Sequence, residues 1–218
     1  MKNNPLSFFF PQKISQADSS INGEVEVIEQ FGKRSIRVQG LEQSGPMVEK
    51  IWEKGIKKIT NYQLPITNVL ILGLGGGSAV KIINRHFPKT LIIGIEIDPI
   101  MVKLGKKYLS LSEYKNLEIK IADAFKWVQK SGGSNHQTKF DLILIDLYLG
   151  RKVPEEMESE KFLSAIKKLL TNKGTVIFNF LRTKEKKLEF QEFLDKAEKI
   201  YRQIKVIKPV ANYLVIAQ

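Results

Sequence analysis

Apolar residues in this chain gather in short runs divided by polar, turn-forming stretches. Residues 68–72, 91–95, 140–145 and 175–180 are such runs, and residues 117–121 read as a further strand. Short, nearly continuous apolar runs suit strands buried on both faces of a parallel sheet. Between them the spacing turns helical. Ser78 opens a segment with Val80, Ile83 and Phe87 on one face, and Asp98-Pro99 starts a helix to about residue 109, with Asp as N-cap and Pro at the first helical position. A short helix follows Ala124, another surrounds residues 162–170 after a loop at 147–158, and residues 184–201 form a long charged one. Residues 171–174 read as a turn. Residues 203–207 and 213–217 are two last strands whose short link demands an antiparallel hairpin. The pattern predicts an α/β domain over residues 61–218 with a seven-stranded, mostly parallel sheet closed by that hairpin.

Ahead of it lies a smaller region, residues 1–60. Residues 1–22 carry little pattern. Glu24-Val25-Glu26-Val27 and Ser35-Ile36-Arg37-Val38 alternate around a turn at 31–34, which predicts a β-hairpin with one apolar face. Gly45-Pro46 then opens a helix with Met47, Ile51, Trp52, Ile56 and Ile59 on one stripe.

Composition narrows the function classes. The chain has 218 residues, 43% of them hydrophobic, which is enough for one sizeable core with a small appendage. No apolar run approaches the roughly 20 residues that span a bilayer, and the first eleven residues are too short in apolar content for a signal peptide. A cytoplasmic protein without a membrane partner is expected. The absence of cysteine excludes disulfides, thiolate metal sites and thiol catalysis. Two isolated histidines, His86 (read as a surface position) and His136, make no metal site. The net charge of +12 comes from lysines scattered over several helices without interleaved aromatics, which reads as solvated helix faces and argues against a specific nucleic-acid site.

The candidate chemistry sits at strand ends. The first apolar run of the main domain stops abruptly in Gly73, Gly75, Gly76 and Gly77, and the next ends in Glu96. Strand, glycine turn, helix, strand and acid in that order read as a Rossmann-like nucleoside-binding half. Glycines admit a ligand close to the backbone, and the helix start offers free N–H groups. The spacing Gly73-x-Gly75-x-Gly77 fits a sulfonium nucleoside such as S-adenosylmethionine better than a dinucleotide. Glu96 is placed to accept both ribose hydroxyls. Asp123 can accept from the adenine amino group, with the Ala124 amide as a donor, or cap the helix it precedes. Asp98 reads as a cap. Asp146 ends a buried strand facing the cleft and is the candidate general base; Tyr148 beside it can line an acceptor pocket. Trp52 and Trp127 read as core.

Taken together, Gly40-Leu41-Glu42-Gln43, the turn at 73–77, Glu96-Ile97-Asp98, Asp123-Ala124 and Asp146-Leu147-Tyr148-Leu149-Gly150 resemble the spermidine synthase family. Its members are aminopropyltransferases built on the S-adenosylmethionine-dependent methyltransferase fold. The resemblance implies S-adenosylmethionine or its decarboxylated form as co-substrate, no metal, and a small-molecule acceptor such as a polyamine. It also implies Gln43 as a cofactor contact, Asp146 as the base, and dimerisation through the N-terminal region. Three positions depart from the family pattern. The acid of the usual Gly-Gly-Gly-Asp-Gly-Gly turn falls on Gly76, the second acid of Asp-Ser-Ser-Asp-Pro falls on Leu149, and a substrate-contacting tyrosine falls on Met47. Each lost carboxylate removes a charge-assisted bond worth about 1.5–3 kcal/mol to a cationic amine. Methyl transfer is therefore admissible beside aminopropyl transfer. The other readings are a non-catalytic nucleoside-binding protein and a nucleic-acid-binding module that exploits the positive charge.

Overall fold

A computed structural model describes residues 9–60, 65–131, 138–148, 154–183 and 186–218. Its main sheet has seven strands in the order β10-β11-β9-β8-β5-β6-β7. The parallel strands are β5 (Asn68–Leu72), β6 (Leu91–Glu96), β7 (Leu117–Ile121), β8 (Phe140–Ile145) and β9 (Leu170–Leu181). Strand β11 (Asn212–Ala217) runs antiparallel to β9, and β10 (Ile204–Ile207) antiparallel to β11.

Strand periodicity explains why the inner strands β5, β8 and β9 are largely apolar on both faces, whereas the edge strand β7 carries Glu118 and Lys120. Leu70 and Leu72 of β5, Ile143 and Ile145 of β8, and Val176 and Phe178 of β9 face one core. Val69, Ile71, Leu142, Leu144 and Ile177, the alternate positions, face the other. Helices α4 (Ala124–Ser131), α5 (Glu160–Leu169) and α6 (Lys187–Ile200) supply buried side chains to the first core; α1 (Pro46–Thr60) and α2 (Ser78–His86) supply them to the second. Helix α3 (Pro99–Tyr108) contributes Val102 there and packs Met101 and Leu104 against the N-terminal sheet.

That N-terminal sheet has four antiparallel strands: β1 (Gln12–Ser19), β2 (Gly23–Gln30), β3 (Lys33–Val38) and β4 (Leu41–Ser44). The sequence reading finds only the β2–β3 hairpin. Strand β1 reads as patternless because it is a polar edge strand that lays only Ile14 and Ala17 against a core. In α1 the buried face is Val48, Ile51, Trp52, Gly55, Ile56 and Ile59, whereas Met47 is 50% exposed. Its place at the first turn, at the edge of the stripe, turns it to solvent. The segment 171–174, expected as a turn, belongs to β9: Phe140 pairs with Leu170 and Leu142 with Thr175, so the intervening residues are accommodated as an irregularity within the strand. Helix α1, grouped by sequence with the N-terminal region, buries its apolar face in the second core of the main sheet.

One close contact sets the position of the glycine turn. A Cβ on Gly105, inside α3, would lie 2.7 Å from both Cα and O of Gly76. Helix propensity alone favours Gly→Ala by about 1 kcal/mol. Here overpacking against backbone that cannot rotate away opposes it at about 1–3 kcal/mol. Gly105→Ala is therefore expected to lower stability, by up to about 2 kcal/mol, in denaturant unfolding. A stabilised variant would show that turn and helix are not interlocked.

Candidate functional site

Beyond the carboxyl ends of β5, β6 and β8 lies a cavity of ≈ 190 Å³. This is where open α/β sheets place ligands. Gly73, Leu74 and Gly75 form one wall, and the amides of Gly73 and Leu74 both donate to the Ile95 carbonyl at 3.0 Å. Gly73 has φ +84°, and a Cβ there would fall 2.1 Å from the Asp146 carbonyl oxygen. Only glycine lets the end of β8 come so close to the turn. The Gly75 amide donates to Glu96 Oε2 at 2.7 Å, and the Gly76 amide to Ser44 Oγ at 2.7 Å. Ser78 Oγ accepts from the Gly45 amide at 2.8 Å, tying the start of α2 to the start of α1.

Of the candidates named from sequence, Gln43, Gly73, Gly75, Glu96, Asp123, Ala124, Asp146 and Tyr148 all line this cavity. Gly77 does not. It is the left-handed N-cap of α2, at φ +96°, and a Cβ there would strike Leu111 Cδ1 at 2.4 Å. Its glycine is a packing and backbone requirement. Gly76 is also absent from the lining: its Cβ direction leads to Ile36 Cδ1 at 2.6 Å and Leu109 Cδ1 at 3.0 Å, away from the ligand space. Leu149 and His136 lie outside the described residues. His86, expected on the surface, sits with its Nε2 3.0 Å from Glu53 Oε1 between α2 and α1. Among the described residues no group of His, Cys, Asp or Glu forms a metal-holding cluster.

Glu96 is almost fully buried and accepts from two backbone amides, Gly75 on one oxygen and Asp98 on the other at 2.9 Å. Burial raises its pKa, and those amide bonds oppose the rise. Asp98 caps α3 through the Ile100 amide at 2.8 Å and also accepts from Ser19 Oγ at 2.5 Å and Asn22 Nδ2 at 2.7 Å. Asp123 Oδ1 accepts from the Lys126 amide at 3.0 Å while the residue lines the cavity, so the cap and the ligand-facing position coexist.

Asp146 is held from both sides. Asn179 Nδ2 donates to Oδ1 at 2.7 Å, and Trp52 Nε1 donates to Oδ2 at 3.3 Å. Asn212 Nδ2 donates to Asn179 Oδ1 at 2.8 Å, which fixes the amide so that its nitrogen faces Asp146. Tyr148 OH donates to the Asn179 carbonyl at 3.1 Å. Burial pushes the Asp146 carboxyl up to about 6, with the Glu96 charge adding to the rise and the Asn179 and Trp52 bonds opposing it. Burial, together with the Asp146 charge, raises the Tyr148 hydroxyl well above its ordinary value.

Sequence reasoning missed several of these groups. Ser44, Ser78 and Asn22 line the cavity without any local signal, as does Glu156, which like Glu155 is an acid in the loop after Asp146 that could take over the missing positions; Trp52, read as core, is both core and a donor to Asp146. Asn179 and Asn212 are buried polar residues inside apolar strands. Such interruptions are the one sequence signal that could have drawn notice, because buried amides need partners.

With the geometry in place, comparison with known proteins is informative. A polyamine aminopropyltransferase of Vibrio vulnificus is 27% identical over 154 residues, covering 69% of this chain and 51% of the relative. The eEF1A lysine and N-terminal methyltransferase of Homo sapiens is 31% identical over 126 residues, covering 55% of this chain and 18% of the relative. The chain thus spans about half of the first relative and under a fifth of the second. The crystal structure of spermidine synthase from Thermotoga maritima superposes with a TM-score of 0.77 over 94% of this chain and 72% of that one, at 18% identity, and shows the shared fold. The family model for the spermine/spermidine synthase domain matches residues 49–215, and the chain belongs to that family.

Proposed function

We propose that this protein transfers an alkyl group from a sulfonium nucleoside to an amine. The observation that carries the reading is the sign of the cavity. Glu96, Asp123, Asp146 and Glu156 line it, and no lysine or arginine does among the described residues, although the chain carries a net +12. A lining of carboxylates alone suits cationic ligands: the sulfonium of the donor and the ammonium of the acceptor. The named relatives act on amines of two kinds, polyamines in one case and a lysine and an N-terminus in the other.

The chain's own groups divide the work. Glu96 and the glycine turn hold the ribose, with Asp123 and Ala124 at the adenine. The donor supplies an electrophilic carbon on positive sulfur, so the protein's main task is alignment. An amine is protonated near its ordinary pKa of about 10.4, and Asp146 accepts the proton it must lose before or during attack. Trp52 and Asn179 keep that carboxylate aimed at the cavity. Glu156, at the mouth, stands in for the acids the family carries at the positions of Gly76 and Leu149.

The donor is S-adenosylmethionine or its decarboxylated form. The lining favours the decarboxylated donor, because it has no carboxylate to face Glu96 and Asp146. One observation favours methyl transfer as a second reading: the Cβ direction of Gly76 points into Ile36 and Leu109, so the turn offers no acid to an aminopropyl amine. Assays with each donor against putrescine, longer polyamines and a lysine peptide decide between them. Transfer to an amine from either donor is expected; nucleoside binding with no transfer from both would leave the non-catalytic reading standing.

Glu96→Ala is expected to weaken methylthioadenosine binding by about 1–3 kcal/mol in calorimetry, the range for charged hydrogen bonds. Asp146→Asn should leave that binding nearly unchanged and lower transfer by about 10²–10⁴-fold. Glu156→Gln should raise the amine KM by up to about fivefold, the scale of an exposed charge pair, and leave nucleoside binding alone. Equal losses of nucleoside affinity in all three variants would refute this division of roles.

The raised Asp146 pKa has a signed consequence. A base must be ionised, so kcat/KM should climb with pH through about 6, and Asp146→Asn should remove that limb. Stability moves the other way. The folded carboxyl binds its proton more tightly than the unfolded one, so its favourable contribution is complete below about pH 4 and lost as pH rises through about 6. Denaturant unfolding at pH 5 and pH 7 checks the sign.

A further inference from the structure

The lysines that the sequence scatters over several helices converge in the fold on one open groove of ≈ 1200 Å³. Lys33 and Arg34 come from the start of β3, Lys50, Lys54 and Lys57 from α1, Lys81 and Arg85 from α2, and Lys106 and Lys107 from the end of α3. Nine cations stand against the three carboxylates Glu49, Glu53 and Glu113, and Arg34 is also paired with the buried Glu29 at 2.9 Å, which leaves the groove with five positive charges. Two of those carboxylates are already engaged, Glu49 with Lys81 at 2.9 Å and Glu53 with Lys57 at 3.2 Å and Arg85 at 3.0 Å. Lys33, Lys50, Lys54 and Lys106 are exposed and make no ion pair among the described residues. Like charges are not gathered this way by core packing, since they repel and no apolar surface is covered in return.

We propose that this groove binds the phosphate backbone of a single-stranded nucleic acid, without regard to base sequence. Charge complementarity selects a polyanion, and the walls select among polyanions. Tyr108, directly after Lys106-Lys107, and Tyr114, directly before Lys115, both line the groove as half-buried rings that rest on the hydrophobic cores behind them. Lys107 Nζ lies 5.0 Å from the centroid of the Tyr108 ring. A cationic groove with aromatic faces is the arrangement on which unpaired bases stack while phosphates track the charge. An acidic polypeptide would use the lysines and leave the rings idle. No residue lines both the groove and the carboxylate cavity, so the two sites are separable by mutation.

The test is fluorescence anisotropy with a labelled, mixed-sequence DNA strand of roughly 20 nucleotides, a length that covers one or two typical single-strand sites. The full chain is titrated over a range of salt concentrations. The triple variant Lys50→Gln, Lys54→Gln, Lys106→Gln should lose at least about tenfold in affinity and flatten the log–log salt slope by about 2, the release of three contacts on a single strand. A control with equal charge loss outside the groove, Lys161→Gln, Lys173→Gln, Lys205→Gln, should stay within about twofold, because charges beyond a Debye length are screened. Methylthioadenosine binding should be the same in both variants, which reports that each is folded. Equal losses in the two variants, no binding by the parent at low salt, or tighter binding of a polyglutamate or of duplex DNA than of the single strand would each overturn the proposal.

Discussion

Two buried carboxylates at the end of β6 hold the functional half of the molecule together. Glu96 and Asp98 are both nearly inaccessible, and an ionised carboxylate is costly to bury unless its lone pairs are filled. Here they are filled by backbone and by a separate sheet. Glu96 takes the amides of Gly75 and Asp98, which fixes the glycine turn against the strand end. Asp98 takes the amide of Ile100, which starts α3, and the side chains of Ser19 and Asn22, which dock the N-terminal sheet. The acid proposed for the ribose is therefore also an anchor of the turn. Any change at Glu96 acts on the ligand and on the backbone that surrounds it.

The turn carries a second constraint from its far side. Gly76 sits against Gly105 of α3, with Ile36 and Ser44 of the N-terminal sheet closing over its Cβ direction. Read from sequence, Gly76 is a lost ligand group, an acid missing from a family pattern. The fold gives it a different meaning, that of a position where any side chain would force movement in three elements. Restoring the family acid at Gly76 would then need compensation at Ile36 and Leu109, and its carboxylate would start out pointing away from the cavity. Glu156 meets no such obstacle, because it is an exposed residue that already lines the cavity.

What was legible in the sequence follows from what has a local signature. Continuous apolar runs marked β5, β6, β8 and β9, and an acid or glycine at the tip of such a run marked Glu96, Asp146 and the turn. Strand β1 left no such mark, because an edge strand with water on one face and only Ile14 and Ala17 on the other looks like polar coil. The shift of the α1 stripe from Met47 to Val48 is a one-residue question that periodicity does not resolve at a helix start. Asn179, Asn212 and Trp52 are further from reach. Their role lies in tertiary hydrogen bonds across the sheet and from a helix, over sequence separations that no motif spans. Gly77 shows the converse, a residue that fits a ligand motif and is required by φ and by Leu111.

Charge is distributed on the same plan of two faces per element. Helix α1 turns Val48 and Trp52 to the carboxylate cavity and Lys50 and Lys54 to the cationic groove; α2 turns Ser78 and Ala79 one way and Lys81 and Arg85 the other. A helix with its side chains is about 10–12 Å thick, and the Debye length at physiological ionic strength is about 8 Å. The charged side chains of each face end in water, where mobile ions screen them from charges more than a Debye length away. Carboxylates line the cavity although the chain as a whole is strongly positive, and lysines predominate in the groove. Net charge alone would have an amine acceptor repelled from this protein. With the signs separated by a helix, carboxylates face the cavity at the strand ends and lysines face the groove on the far side of α1.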